Sequence, residues 1–460
     1  MAGPIELGFV SEEVIRDWIV SQRWFASKGR EVAHLNVLDT LALRADQPPL
    51  TAAFLEARFA AGTHELYQLL VAARPASDNW SAGVIETVYD TTVYDALSDA
   101  AEGAALAALM ERSAVVDGHH GQVRFHWTGA SGGVGEAPAV RSIGVEQSNS
   151  SIVFDERLIL KVFRRLEPGD NPELEMLRFL TDRGFGNIPT LAGWYEFAGD
   201  LLWATLGVLT DFVGDGRDGW AFTLDDPSGV IDDLAELGEV TARMHNVLAS
   251  DGANPDFAPE EPGSEALSLL TATIDEEIER LFFDLPADSP EVVAPIVGRG
   301  EEVRDRLQQL SHVGVGGRLI RTHGDYHLGQ TLRTPDRWVL LDFEGEPARP
   351  LRDRRRKRSP LRDVAGMLRS FAYAASAMEQ DDGRETPEGW EQRARSAFLD
   401  GYLKTVEPSL MPAGQQAIDK LLSIFELEKA VYEMRYEINN RPDWIGIPVA
   451  GIARLLEDPS

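Results

Sequence analysis

Three side chains able to handle a proton and a metal ion fall within one short stretch, RTHGDYHLGQTLRTPDRWVLLDFEGEP, residues 321–347. Asp325 follows the turn-forming pair His323-Gly324, Gln330 comes five residues later, and the apolar run Trp338-Val-Leu-Leu delivers Asp342. A carboxylate on a turn, an amide, and a second carboxylate at the end of a buried strand suit phosphoryl transfer. One group accepts the proton of the acceptor hydroxyl, and oxygen ligands hold Mg²⁺ against nucleotide phosphates. Asp325 fits the first task, Gln330 and Asp342 the second.

Against the protein-kinase pattern His-Arg-Asp-x-x-x-x-Asn and Asp-Phe-Gly, Gln330 stands at the Asn position and Glu344 at the Gly. An amide oxygen serves Mg²⁺ from either side chain, so the substitution keeps the ligand type. His and Asp are also common in solvated turns, but His-x-Asp-x-x-x-x-Gln followed by Leu-Leu-Asp-Phe-Glu is far more specific than His-x-Asp alone.

Such a loop needs elements that present a nucleotide to it. Residues 145–180 read as strand, polar turn, strand, strand, helix. Gln147, Ser148, Asn149, Ser150 and Ser151 lie between two strand patterns, where hydroxyls and backbone N–H groups can bind phosphate, although the stretch is not glycine-rich. Lys161 stands alone in the apolar strand Leu-Ile-Leu-Lys-Val-Phe, a costly place for an ammonium unless an anion meets it. Asn171-Pro172 reads as a helix cap and first-turn residue. Glu173 and Glu175 follow, and one of them should pair with Lys161; Glu175 is preferred because it borders the apolar side formed by Leu174, Leu177 and Leu180, with Glu173 as its rival. The apolar run 201–213 then breaks at Gly-Asp-Gly, and its backbone at Leu209, Asp211 and Phe212 is placed to meet an adenine edge.

Composition narrows the partners. The chain has 460 residues, 44 basic against 75 acidic side chains, a net charge of −31 and no cysteine. This excess of negative charge argues against nucleic acid and anionic membrane, which basic faces bind, and the absence of cysteine removes disulfides and thiol catalysis. No window offers a membrane span and the N-terminus lacks a basic start followed by an apolar run, so a cytoplasmic setting is expected.

Residues 11–24 read as an amphipathic helix behind a Ser cap, with Trp24 as a core anchor, and three strand patterns follow; Thr91–Arg112 reads as an Ala-rich helix. The expected division is a small α+β module at 1–95, a β-rich nucleotide-binding part at 96–211 and a helical lobe at 212–460. A run of Arg and Lys between 352 and 358 is read as a solvated, mobile loop. Ser359-Pro360 caps the next helix, whose Asp363 can receive hydrogen bonds from the catalytic loop, whereas His245 is read as a helix-packing residue. In the helix at 426–441, Lys429, Tyr432, Glu433, Tyr436 and Glu437 lie opposite the apolar positions Leu427, Val431, Met434 and Ile438, offering rings and hydrogen-bonding groups to a sugar. His323, Tyr326, His327 and Glu344 would complete the acceptor wall.

The stretches DWIVSQRWFA, EQSNSSIVFDERLILKVFRR, THGDYHLGQTLRTPDRWVLLDFEGEP, SPLRDVAGMLRSFAYAA and EKAVYEMRYEINNRPDWIGIP together resemble the actinobacterial maltokinases. These are sugar 1-kinases related to aminoglycoside phosphotransferases and carrying an N-terminal cap. The resemblance implies an α+β, bilobal protein-kinase-like fold with the cap in front. It also implies ATP and Mg²⁺ as cofactors, maltose as acceptor, maltose 1-phosphate as product feeding α-glucan synthesis, and trehalose synthase as a companion enzyme. Tyr326, where the family usually has Leu, and Met434-Arg435 depart from its pattern. A related glucosamine kinase is the rival, because Glu433 and Glu437 could serve an amino sugar's ammonium. A catalytically dead binding module would be expected to lack at least one of Asp325, Gln330, Asp342 and Lys161.

Overall fold

The structure is a computed structural model that describes residues 10–457 except 26, 47, 136–137, 144–148, 201, 264, 286–290, 311–315, 348 and 381–386. The chain divides into two compact units, residues 1–181 with 189–214, and residues 182–188 with 215–460.

The first unit opens with α1 (Glu12–Ser21), whose cap Ser11 accepts a hydrogen bond from the Val14 N–H at 3.2 Å. Its apolar stripe, Ile15 and Ile19, packs with Trp24 and Phe25 against Leu55, Tyr67 and Leu69 of an antiparallel sheet. That sheet runs β1 (Val32–Arg44), β2 (Leu50–Phe59), β3 (His64–Pro75), then β5 (Thr91–Asp95) and β4 (Val84–Val88). Thr91–Asp95 was expected to begin a helix; its β-branched and aromatic residues instead extend the sheet beside β3. The helix α2 (Ala100–Glu111) begins only after Asp99, whose side chain accepts from the Ala101 N–H.

A second antiparallel sheet takes β6 (Val115–Asp117), β7 (Gly121–Trp127), β8 (Val140–Ile143), β9 (Asn149–Phe154) and β10 (Leu158–Phe163). Its last strands, β12 (Leu191–Gly199) and β13 (Trp203–Asp211), complete the order β6-β7-β12-β13-β10-β9-β8. The short β11 (Arg165–Leu166) leaves β10 to pair with β3, so the chain just past Lys161 stitches one sheet to the other. The buried Gln68 amide strengthens that seam by donating to the Phe163 carbonyl at 2.6 Å. Helix α3 (Pro172–Asp182) begins where Asn171 Oδ1 accepts from the N–H groups of Glu173 and Leu174.

The second unit is mostly helical. A small sheet of β14 (Arg217–Asp218), β15 (Thr331–Arg333) and β16 (Trp338–Leu340) accompanies α4 (Gly219–Asp225), α5 (Ile231–Leu248), α6 (Ala266–Asp284) and α7 (Gly300–Leu310). After it come α8 (Leu351–Arg354), α9 (Leu361–Gln380), α10 (Trp390–Thr405), α11 (Gln415–Asn440) and α12 (Gly446–Glu457). Helices α5 and α10 touch backbone to backbone. A Cβ on Gly238 would lie 2.1 Å from the Phe398 carbonyl, and one on Gly401 2.1 Å from that of Ala235. This close approach places His245 of α5 against both α9 and α10.

Candidate active site

The loop carrying Asp325 is held from beneath. Asp363, in the first turn of α9, accepts the N–H of His323 at 2.7 Å and of Gly324 at 3.0 Å. His245 Nε2 donates to the same carboxylate at 3.1 Å, while its Nδ1 faces the Tyr402 hydroxyl at 2.9 Å. His245, read from sequence as a packing residue, therefore orients the aspartate that shapes the loop. Burial pushes the Asp363 carboxyl up, but the bonds from His245 and the backbone outweigh it and hold the group below the usual range. Gly324 turns the chain at φ +87°, in the left-handed region.

His323 is 1 % exposed and Nε2 donates to the Leu341 carbonyl at 2.7 Å, so it braces the loop from inside, not from the acceptor wall where it was expected. Tyr326 is likewise buried, its hydroxyl bonded to Thr241 at 2.8 Å. His327 caps the turn Leu328–Gln330, its Nδ1 accepting from the Gly329 N–H. Burial lowers the pKa of His327, in keeping with a neutral ring that accepts at Nδ1.

Gln330 and Asp342 come together: Gln330 Nε2 donates to Asp342 Oδ2 at 3.2 Å, beneath the bond from the Leu341 N–H to the Gln330 carbonyl. Asp342 adopts φ 60°, a left-handed conformation that costs a non-glycine residue about 1 kcal/mol or more. Half a turn of the amide would set Oε1 where Nε2 stands. The pair then fits a hard divalent cation such as Mg²⁺, which takes oxygen ligands.

In the first unit, Lys161 pairs across its strands with Ser151 and Val208, and its Nζ donates to Glu173 Oε2 at 2.9 Å. This ion pair is with Glu173, the residue held as rival; the preferred Glu175 carboxylate is buried as well. Gln147 and Ser148 lie outside the described residues. Asn149, Ser150 and Ser151 form the buried start of β9, and Ser150 Oγ accepts from Arg164 Nε at 2.9 Å. Ser150 is thus tied to a buried guanidinium, whose Nη1 and Nη2 grip Asp95 at 3.1 and 2.6 Å. The backbone donors sought for an adenine edge are partly committed: the Asp211 N–H goes to the Thr190 carbonyl and that of Phe212 to Arg157. Leu209 is a core residue, and the Asp211 carboxylate accepts from Ser131 Oγ at 2.6 Å.

A cavity in the second unit is lined by Gly324 and Tyr326, the neighbours of Asp325, and by Glu346, Lys429 and Tyr432. Lys429 Nζ bridges Asp325 Oδ1 at 3.3 Å and Glu346 Oε1 at 3.2 Å. Burial lowers the Lys429 pKa, but the two carboxylates raise it further, so the ammonium is secure. Burial raises Glu346, yet Lys429 and Arg349 hold its carboxyl below the usual range. Sequence reasoning chose Glu344 and missed Glu346, though the run Asp342-Phe-Glu-Gly-Glu carries both. Among the lining residues it is Glu346 that faces this cavity.

Of the α11 stripe expected to meet a sugar, fewer residues reach the cavity than expected. Lys429 and Tyr432 line the cavity, the ammonium 5.0 Å from the ring centre. Glu433 is buried against Arg369, with bonds of 2.6 and 3.0 Å, and Glu437 accepts from Tyr373 at 3.0 Å and from Arg441 at 2.7 Å. Tyr436 is 45 % exposed beside the Arg441 guanidinium. It shares the helix face of Lys429, but seven residues at about 1.5 Å each carry it about 10 Å farther along the axis, beyond the lining residues.

The basic run also departs from the expected solvated loop. Leu351–Arg354 is helical, Lys357 reaches Glu260 at 2.7 Å, and the Arg358 backbone exchanges two hydrogen bonds with Ile320, just ahead of the loop carrying Asp325. Arg354 and Arg358 line the same cavity as Lys429.

Known proteins share this architecture. A family model described as "Phosphotransferase enzyme family" matches residues 139–399, and one described as "Maltokinase N-terminal cap domain" matches residues 18–99. A glucosamine kinase of Streptacidiphilus jiangxiensis is 28 % identical over 370 residues, 77 % of this chain and 80 % of that protein. A glucosamine kinase of Mycolicibacterium smegmatis is 26 % identical over 333 residues, 69 % of this chain and 80 % of that protein. Among solved structures, a glucosamine kinase in complex with glucosamine, ADP and inorganic phosphate superposes with a TM-score of 0.70 at 20 % identity. That match covers 96 % of this chain and 98 % of the other, and at such identity it establishes the fold alone.

Proposed function

The chain belongs to the phosphotransferase enzyme family, and we propose that it transfers the γ-phosphoryl group of ATP to the anomeric hydroxyl of maltose. In this reading Asp325 accepts the hydroxyl proton as the sugar oxygen bonds to phosphorus and the bond from phosphorus to the ADP oxygen breaks. The products are maltose 1-phosphate, ADP and a proton. Lys161, steadied by Glu173, binds phosphate oxygens of the nucleotide. Gln330 and Asp342 would hold Mg²⁺, which neutralises charge on the phosphates. Lys429 and Tyr432 orient the sugar, and Asp363 with His245 keeps the Asp325 loop in place.

The observation that carries maltose over an amino sugar is the Lys429 ammonium, already seated between Asp325 and Glu346. A cationic acceptor would meet a like charge there, and the carboxylates suggested for it, Glu433 and Glu437, are engaged by Arg369 and Arg441. The cap match at residues 18–99 supports the same choice. The glucosamine kinases among the relatives favour a second reading, in which glucosamine is the acceptor. A cytoplasmic setting alongside trehalose synthase rests on the maltokinase resemblance. ADP release measured with maltose, glucosamine and an aminoglycoside separates the readings. Turnover with maltose at least about tenfold above that with glucosamine is expected, and the reverse order overturns the assignment.

A further inference from the structure

The acceptor cavity holds more positive charge than phosphoryl transfer to a neutral sugar uses. Arg349, Arg358 and Arg362 line it together, and the same three line a larger groove that continues toward α6 past Phe425 and Leu270. Two of them are balanced: Arg349 pairs with Glu346, and Arg362 donates to Glu428 at 2.6 Å. Arg358 differs. Among the described residues no carboxylate pairs with it, and its side chain bonds only the Asp353 carbonyl, at 3.3 Å.

Most of the carboxylates nearby are engaged by other groups. Glu346 is shared by Lys429 and Arg349, Glu428 by Arg362 and Arg349, and Asp363 by His245 and the backbone. Asp353 lies 3.8 Å from Arg356. Burial, aided by Glu428, raises the pKa of Glu277. For Arg358, burial and the neighbouring Arg362 and Arg349 push the pKa down to about 10, against the weaker opposing pull of Glu428 and Glu346, neither of which pairs with it. A half-buried guanidinium crowded by two others is unfavourable unless an anion offsets it, and its planar fork suits the oxygens of a phosphate.

We propose that Arg349, Arg358 and Arg362 form an oxyanion site in this cavity that binds the phosphate group of a phosphorylated sugar. Only the sugar part of that ligand rests on reading the cavity as the acceptor site. The occupant shares the cavity with the acceptor and therefore competes with it, which gives the enzyme sensitivity to the level of sugar phosphates. The basic run thereby acquires a role, because its folding back onto Ile320 delivers Arg358 to the cavity.

Calorimetry on the full-length protein tests this with glucose 6-phosphate, inorganic phosphate and glucose as probes, each at a saturating level of a Mg-bound, non-hydrolysable ATP analogue so that the γ-phosphate position is filled as well. Glucose 6-phosphate should bind at least about tenfold more tightly than glucose, and Arg358→Met should abolish that advantage, as loss of a charge-assisted contact costs about tenfold or more. Arg358→Lys keeps the charge without the fork, and should lie between the two with an unchanged melting temperature. Inorganic phosphate binding as tightly as the ester would overturn the sugar-phosphate assignment. Failure of either phosphate to bind, or equal affinity in Arg358→Met, would overturn the site. Binding is read without turnover, so a failure of maltose as acceptor leaves this result standing, and the two outcomes are distinguishable.

Discussion

Two tyrosines on one helix face make opposite forecasts. Tyr432 lines the cavity with the Lys429 ammonium 5.0 Å from its ring centre, whereas Tyr436, one turn on, is 45 % exposed beside Arg441. Tyr432→Ala removes a face on which a sugar can rest, worth about 1 kcal/mol. It also removes a cation–π contact that helps fix Lys429, worth about 0.5–1 kcal/mol. Together they amount to about 1–2 kcal/mol, or roughly a 5- to 30-fold rise in KM for maltose. The KM for ATP should stay within about twofold, since the change removes acceptor binding alone. Tyr436→Ala should change both constants by less than about twofold. The assay is coupled ADP release, varying maltose at saturating ATP and then ATP at saturating maltose, with melting temperatures confirming that both variants fold. If Tyr436→Ala raises the maltose KM more than Tyr432→Ala does, the placement of the sugar wall is wrong.

Four further outcomes follow from the same geometry. Asp325→Asn should lower kcat by about 10²–10⁴-fold while calorimetry shows ATP binding retained; more than half the wild-type rate would remove Asp325 from its role. Asp342→Ala should weaken Mg-ATP binding, and unchanged affinity together with unchanged turnover would make Asp342 a turn residue only. Glu173→Gln should raise the KM for ATP several-fold because it loosens Lys161, with Glu175→Gln the milder of the two; the reverse order would contradict the 2.9 Å pair. Asp363 has its folded-state pKa depressed, so its stabilising contribution is present above its unfolded-state pKa and is lost as pH falls through the folded one. Asp363→Asn should therefore lower the melting temperature at pH 7 and narrow the difference between pH 7 and pH 3; an unaltered difference would show that the carboxylate is not held by His245 and the loop.

Local signals carried a good part of this protein. The Ser11 cap and the Ile15/Ile19 stripe specify α1, Asn171-Pro172 starts α3, and Asp363 meets the loop N–H groups as expected of it. The types and order of Asp325, Gln330 and Asp342 were legible as chemistry because turn residues and a short apolar strand are written within a few positions of each other. What the tertiary structure decided were the pairings between distant segments. Lys161 meets Glu173 because the strand and helix pack at that register, and Glu346 lines the cavity because Gly345 reverses the chain at φ +71°. Helical periodicity fixes the face on which Tyr436 lies but not where the cavity ends along the axis, so of the five residues in the expected stripe Lys429 and Tyr432 are the two that line it. The basic run looked like a solvated loop because repulsion between like charges is a local property. Its carboxylate and backbone partners at Glu260 and Ile320 are nearly a hundred and about forty residues away, and only folding brings them to it.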